Sequence, residues 1–214
     1  MGIFDIFKKS TKPYKDQSTN LVYELLFCDN LDLYKNNNQQ PDSYPWSILL
    51  SDTSNNSELE KIIADTNTES RIKILTYNKL LSKGQKIEKK ELLGVIVEIG
   101  LDNGLDVLAS FRDGTARYIN QTGKMIIWET IDNISKDLTD KLFDKSYTVV
   151  NKIGPWDKPR RSNPKKGIVR ITFLVSDGLY FGEDPIKVLF SDPMAGPALS
   201  LAAQLMKYLM EKAS

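Results

Sequence analysis

The segment LLGVIVEIGLDNGLDVLASFRDGTARYINQTGKMIIW, residues 92–128, decides the fold of this 214-residue chain. Its first run is apolar almost throughout, which is typical of a strand covered on both faces, and the run "GLDVLASF" alternates in polarity. Asp113 and Gly114 then fit a two-residue type I′ turn, and residues 121–123 fit a three-residue loop that ends in a left-handed glycine. The segment therefore predicts a four-stranded antiparallel meander.

The two-residue turn also fixes the register expected between the second and third strands. Phe111 is expected to face Ala116 and Ala109 to face Tyr118, while the next turn pairs Tyr118 with Ile126. Both faces of the meander are then apolar enough to need cover from other elements. One face carries Val107, Ala109, Phe111, Ala116, Tyr118, Ile126 and Trp128, and the other carries Leu108, Ser110, Arg117, Ile119, Met125 and Ile127.

Backbone conformation explains the residues found in these turns, because positive φ angles cost Gly and Asp little. A catalytic role for the stretch is the competing interpretation. A calcium loop fits poorly, since "DGTARYINQTGK" lacks the carboxylates that an EF-hand needs. The turns thus indicate structure rather than chemistry.

Helices are expected before and after the meander. Capping-box spacings mark the starts of two short ones, Ser57 with Glu60 and Thr66 with Glu69. A long helix follows the meander from Thr130. Its apolar stripe, expected to face the core, consists of Ile131, Ile134, Leu138, Leu142, Val149 and Ile153.

The C-terminal part adds a hairpin and a last helix. The runs IVRITFLVSDG and LYFGEDPIKVLF read as two strands that meet at Asp177 and Gly178, and an apolar helix follows Asp192. The order of elements predicts an α+β fold. It consists of an antiparallel sheet of about six strands, a four-strand meander plus a hairpin, with helices packed on its faces.

Residues 1–20 are expected to form an amphipathic N-terminal tip on a polar tether. Ile3, Phe4 and Phe7 precede two lysines, so the tip could dock on a membrane surface, on another protein or on its own domain. The remainder, residues 21–214, is expected to be a single domain. It is helical over residues 21–84 and contains the sheet and the other helices over residues 91–214.

The composition narrows the range of functions. Without any histidine the chain cannot use Ser-His-Asp or Cys-His catalysis, and its single cysteine, Cys28, excludes a structural zinc site. Carboxylate-based catalysis stays open. The 29 Lys and Arg nearly balance the 28 acidic residues, so no overall field attracts nucleic acid. With no secretion signal or spanning segment recognised, we expect a cytoplasmic protein, peripheral to the membrane if its tip docks there, without a cofactor.

Residues 156–167 form the most basic stretch, with five cations against one acid. Arginine side chains suit carboxylate or phosphate contacts, and an adjacent Trp can stack. Three prolines interrupt the stretch and no nucleic-acid motif surrounds it, so a protein partner is favoured over nucleic acid. The predicted partner-binding residues are Trp156, Lys158, Arg160, Arg161, Lys165 and Lys166, together with Arg117 from the meander.

A second candidate site is a ligand pocket built from acids near the turns of the sheet. Glu98, Asp102 and Asp106 follow one another along the first two strands, and a convergent pair could hold a metal or act as acid and base. No Walker, GxGxxG or GxSxG motif is present. The residues predicted to line this pocket are Asp102, Asp177, Tyr180 and Glu183.

The segments LLGVIVEIGLDNGLDVLASFRDGTARYIN, IGPWDKPRR and FLVSDGLYFGE resemble a set of bacterial proteins with no assigned function. The resemblance runs from about Leu92 to the C-terminus and implies no activity and no site residue. Two hypotheses follow from the residues themselves. The first is a non-enzymatic cytoplasmic interaction module, such as an adaptor, a regulatory subunit or an immunity-type inhibitor, for which homo-oligomers are also conceivable. The alternative is a small-molecule-binding or carboxylate-dependent enzymatic domain.

Overall fold

The computed structural model describes residues 12–37 and 39–213, and within them the chain folds as an α+β protein. Six strands form one sheet with helices on both faces, which confirms the predicted fold class. The strands are β1 (Leu92–Gly100), β2 (Leu105–Phe111), β3 (Ala116–Ile119), β4 (Met125–Trp128), β5 (Ile168–Val175) and β6 (Gly178–Pro185). The helices are α1 (Gln17–Leu25), α2 (Leu31–Asn37), α3 (Trp46–Leu49), α4 (Asn56–Ala64), α5 (Ser70–Ser82), α6 (Asn133–Val150), α7 (Ile186–Ser191) and α8 (Ala195–Lys212).

The sheet is antiparallel throughout, with the strand order β4-β3-β2-β1-β5-β6. Strand β1 lies in the middle, because it pairs with β2 on one side and with β5 on the other. The meander β1–β4 and the hairpin β5–β6 therefore join along β1. Eight of the nine residues of β1 are buried, as its apolar run predicts.

The predicted register between β2 and β3 is wrong by one residue. Ala109 faces Arg117 rather than Tyr118, because the turn holds three residues, 112–114, instead of two. The N–H of Phe111 donates to the carbonyl of Thr115 across this longer turn. The register between β3 and β4 agrees with the prediction.

This one-residue shift moves the side chains of β2 to the opposite face relative to those of β3. Two buried clusters result, one on each side of the sheet. The cluster against α6 and α8 includes Leu108, Ala116 and Tyr118, with Ile126 and Trp128 packed beside it. The cluster against α1, α4 and α5 includes Val107, Ala109, Phe111 and Ile119, with Met125 packed beside it.

Asp113 is the reason for the longer turn. Its carboxylate accepts hydrogen bonds from the N–H of Ser70 at the start of α5 (2.7 Å) and from the N–H (3.0 Å) and hydroxyl (2.7 Å) of Thr115. Burial alone would raise the pKa of Asp113, but these hydrogen bonds lower it by more, so the net shift is downward. Asp113 therefore supplies the cap that the predicted box at Thr66 and Glu69 does not.

Other helix starts also differ from the prediction. The capping box of α4 joins Asn55 and Glu58, two residues earlier than expected, and Asp132 rather than Thr130 caps α6. The second half of LYFGEDPIKVLF forms α7 instead of continuing the strand. The predicted start of the last helix is confirmed, since the carboxylate of Asp192 accepts the first N–H of α8.

The packed part of the chain begins before the expected boundary at residue 21, which lies inside α1. Tyr14 is buried and donates its hydroxyl to the carbonyl of Leu105 (3.1 Å). None of the helices in the described ranges combines the length and the hydropathy needed to cross a bilayer.

We expect Asp113→Ala to destabilise the protein by about 1–2 kcal/mol, because it removes the cap of α5 and the acceptors within the turn. Asp113→Asn keeps one acceptor oxygen and should cost less. Denaturant unfolding measures both changes. Equal stability of the Ala variant and the parent would show that the carboxylate does not hold the turn to α5.

Gly100 marks the place where the end of β1 touches the segment before β5. A Cβ added there would lie 2.0 Å from the carbonyl oxygen of Lys165, whereas a Cβ on Gly154 would meet nothing within 4 Å. Gly100→Ala should therefore destabilise the protein by about 1–3 kcal/mol, and Gly154→Ala serves as the matched control. Melting temperatures that fall equally in both variants would contradict this close approach.

Candidate functional site

The basic segment, residues 156–167, is attached to the domain by Arg160. Its guanidinium donates to Asp29 (2.8 Å) and to Glu24, and it lies 3.8 Å from the ring centre of Phe27. Burial lowers the pKa of Arg160, but the two carboxylates outweigh burial and the net shift is upward. Arg160 thus binds α1 and the residues that follow it.

Two other residues of the basic segment, Trp156 and Arg161, cover the outer edge of β6. The N–H of Trp156 donates to the carbonyl of Leu179 (2.7 Å), and its ring meets the edge of Phe181 at 5.1 Å. The guanidinium of Arg161 lies 5.1 Å from both ring centres and 3.4 Å from the carboxylate of Glu183. These contacts leave β6 protected by its own chain.

The three lysines of the basic segment are exposed. Lys158 lies near the ring of Trp156, and Lys166 forms an ion pair with Asp102. The backbone carbonyl of Lys165 lies against Gly100. Together with the acids that hold the two arginines, Asp102 offsets much of the positive charge counted along the sequence. The surface is consequently less basic than the sequence suggests.

A row of charged residues lies beneath the basic segment, across three neighbouring strands. Glu98 of β1 faces Arg170 of β5, which in turn faces Glu183 of β6. Arg170 donates from Nε to Glu183 (2.7 Å) and its Nη1 lies 3.5 Å from Glu98 Oε2. Its remaining N–H groups reach the carbonyls of Arg161 and Ser162. One buried guanidinium therefore joins two carboxylates and the basic segment.

Glu98 is fully buried, and its second oxygen accepts a hydrogen bond from the hydroxyl of Tyr23 in α1 (2.6 Å). Burial raises the pKa of Glu98; the nearby Arg170 and the Tyr23 hydroxyl lower it, but burial dominates. Burial and the adjacent carboxylate also raise the pKa of Tyr23. The hydrogen bond from Tyr23 to Glu98 joins α1 to the sheet. Because no part of Glu98 reaches solvent, its carboxyl is not an exposed reacting group.

Sequence reasoning missed Arg170 and Tyr23, although a signal for the row was present. Glu98 and Arg170 each interrupt an otherwise apolar strand, and a charge in such a run requires a partner of opposite sign. The pairing of β1 with β5 supplies that partner. The two runs are too far apart in sequence for the pairing to be read locally.

The structure places the four residues predicted to line a ligand pocket in two separate regions. Asp102 and Glu183 are held by the cations of the basic segment and by Arg170, while Asp177 accepts the hydroxyl of buried Tyr180 (2.8 Å) at the opposite end of the β5–β6 hairpin. Asp177 and Glu183 are six residues apart along the hairpin, or about 20 Å. Among the described residues, no group of three or more acidic or cysteine side chains is placed to hold a metal ion.

Two further predicted contacts have different outcomes. Arg117 is buried on the α5 side of the sheet, where it donates to Glu129 (2.7 Å) and to the carbonyl of Ala116 (2.8 Å). It therefore does not line a partner surface. The N-terminal docking residues Ile3 and Phe4, like Phe7, lie outside the described residues.

Three exposed isoleucine side chains lie in β4, in the connection to α6 and in the first turn of α6. Ile127 is 61% exposed, Ile131 is 52% exposed and Ile134 is 56% exposed. Ile131 contacts the turn at Gly114, and Ile131 and Ile134 follow Ile127 within seven residues of the chain, where β4 passes into α6. Ile131 and Ile134 were expected to face the core, and that expectation is wrong for these first two residues of the stripe. We call Ile127, Ile131 and Ile134 the isoleucine corner.

The edge of the sheet beside the isoleucine corner is open. The N–H of Asn120 donates to the carbonyl of Lys124 across the β3–β4 turn. Backbone groups alternate in direction along a strand, so the N–H and C=O groups of Met125 and Ile127 point away from β3. Strand β4 is last in the sheet, and no other described strand pairs with that side. Sequence reasoning missed this edge, because strand order was not part of the prediction.

Comparison with known proteins adds no relationship. No family model matches the chain, and a search of curated proteins gives no significant match. The function must therefore be inferred from the geometry.

The raised pKa of Glu98 predicts a pH dependence of stability. A carboxyl whose pKa is higher in the folded state than its unfolded value of about 4.3 stabilises the fold fully below that value, and this contribution is lost as the pH rises through the folded pKa. Glu98→Gln does not titrate, so its stability relative to the parent should increase with pH above about 4.3.

Denaturant unfolding of both proteins at several pH values from mildly acidic to neutral tests this slope. How well the amide fits sets a pH-independent offset between the Gln variant and the parent, so the test uses only the change of their stability difference with pH. Glu60→Gln, at an exposed position of α4, controls for the loss of one carboxylate. A difference that stays constant or falls with pH would contradict the raised pKa.

Proposed function

We propose that this chain is a non-enzymatic protein-interaction module that binds its partner at the outer edge of β4 and the isoleucine corner. The observation that carries the proposal is the exposure of Ile127, Ile131 and Ile134 beside an open strand edge. Such a surface would suit an adaptor, a regulatory subunit or an immunity-type inhibitor.

The energetic argument rests on apolar burial. Fully burying an isoleucine side chain contributes about 1.5–3 kcal/mol. Because Ile127, Ile131 and Ile134 are between 52% and 61% exposed, covering each of them contributes roughly half of that value. Exposed apolar groups that cluster, rather than lie singly, are typical of interaction sites.

The backbone argument concerns the strand itself. Open edges bind extended segments of other chains by adding a strand, and folded proteins usually cover or block the edges that are not used in this way. The opposite edge follows that rule, because Trp156 hydrogen-bonds to Leu179 and the strand ends at Pro185. Edge β4 is left without such cover by the described residues, which supports a binding role for it.

The charged residues support the same choice by exclusion. Glu98 and Arg170 are buried and hold elements of the fold together, and the acids expected to line a pocket lie in separate places.

We also propose a cytoplasmic location. It is supported by Cys28, whose thiol is buried and free in a chain with no partner for a disulfide.

The edge can be tested by capture from an extract of the native cells, with bound proteins quantified by mass spectrometry. We expect Ile127→Lys to weaken retention of a specific partner about tenfold or more, because burial of the isoleucine is replaced by that of a charge. Val188→Lys is the matched control, since Val188 is 54% exposed on α7 beside the other edge. Because Ile127 lies directly opposite Arg117 on β3, the melting temperature of Ile127→Lys is measured beside that of Val188→Lys, and retention is compared where both variants are folded. Identical sets of retained proteins for the parent and both variants would remove the β4 edge as the binding surface.

A further inference from the structure

The sequence of β4 complements itself when two copies run in opposite directions. We propose that a second copy of this chain binds at the β4 edge, with the two strands paired antiparallel about a twofold axis at Ile127. Two six-stranded sheets would then form one continuous sheet. This inference rests on the proposed function of the β4 edge and names its partner.

The backbone of β4 allows this pairing. Met125 and Ile127 direct their N–H and C=O groups outward, as alternation from the pair of Asn120 and Lys124 requires. An axis at Ile127 places the outward groups of Ile127 opposite those of Ile127 in the second copy, so that each N–H faces a C=O. The N–H and C=O of Met125 likewise meet those of Glu129.

The side chains of β4 fit the same arrangement. Ile127, the most exposed large apolar side chain among the described residues, would lie against its own copy. The partly buried Ile126 would lie against Trp128 of the second copy. Cross-strand pairs of β-branched and aromatic residues are favourable neighbours in antiparallel sheets. The pairing would therefore bury the apolar side chains that the strand now leaves uncovered.

The arrangement closes at two copies. A twofold contact uses the same edge of both chains, and the other edge of each sheet is covered by the basic segment through Trp156. A continuous fibre would require that second edge to be open. The expected assembly is a dimer.

The test exploits the axis, which places residue 127 against itself. The parent should change from monomer to dimer in sedimentation experiments between low micromolar and submillimolar concentration. Ile127→Lys and Ile127→Glu should each stay monomeric, because like charges would face each other. An equimolar mixture of the two variants should form a dimer, since Lys then faces Glu. Val188→Lys and Val188→Glu should dimerise like the parent, both alone and when mixed.

Three results would overturn this proposal. A parent that stays monomeric over the whole range excludes the second copy, although the edge-dependent capture described above would still support another partner. Dimers that persist in both Ile127 variants would exclude the β4 edge as the dimer contact. Variants that stay monomeric when mixed would exclude the axis at Ile127.

Discussion

The buried pair of Glu98 and Arg170 is the interaction on which the rest of the structure depends. Charges inside a sheet are costly unless they are paired and hydrogen-bonded. Arg170 donates hydrogen bonds to Glu183 and to the carbonyls of the basic segment, and its guanidinium lies 3.5 Å from Glu98 Oε2, an oxygen that accepts no hydrogen bond. Glu98 in turn receives the hydroxyl of Tyr23. Satisfying this pair therefore requires β1, β5, β6, α1 and the basic segment to be assembled together, which gives the fold one specific arrangement at this side.

The same requirement makes the two edges of the sheet different. The basic segment must cross β6 to reach Arg170, and in doing so it covers that edge with Trp156 and Arg161. No charged pair of this kind draws a described segment over β4.

The sequence predicts what depends on local patterns and misses what depends on distant partners. Strand content, the hairpins and the fold class follow from alternating residues and turn signals. The register at Asp113 does not, because its carboxylate binds Ser70, which is 43 residues away. The positive charge of the basic segment was overestimated for the same reason, since acids remote in sequence such as Glu24 and Asp29 hold Arg160. The spacing of apolar residues identified the buried side of α6, including Leu142 and Val149. It could not show that Ile134, in the first turn of the helix, lies outside the core.

Exposure at the isoleucine corner follows from the position of this first turn. Asp132 caps α6 and accepts the hydroxyl of Tyr208 from α8, which fixes the start of the helix close to the end of β4. Trp128 packs against the same tyrosine, so β4 is held on its α8 side. Ile127 points to the face opposite α8. Ile131 contacts the turn at Gly114, and the neighbouring Asp113 binds the start of α5. Contacts with α8 thus hold β4 while Ile127 faces outward, and a preformed surface of this kind loses little conformational entropy when a partner covers it.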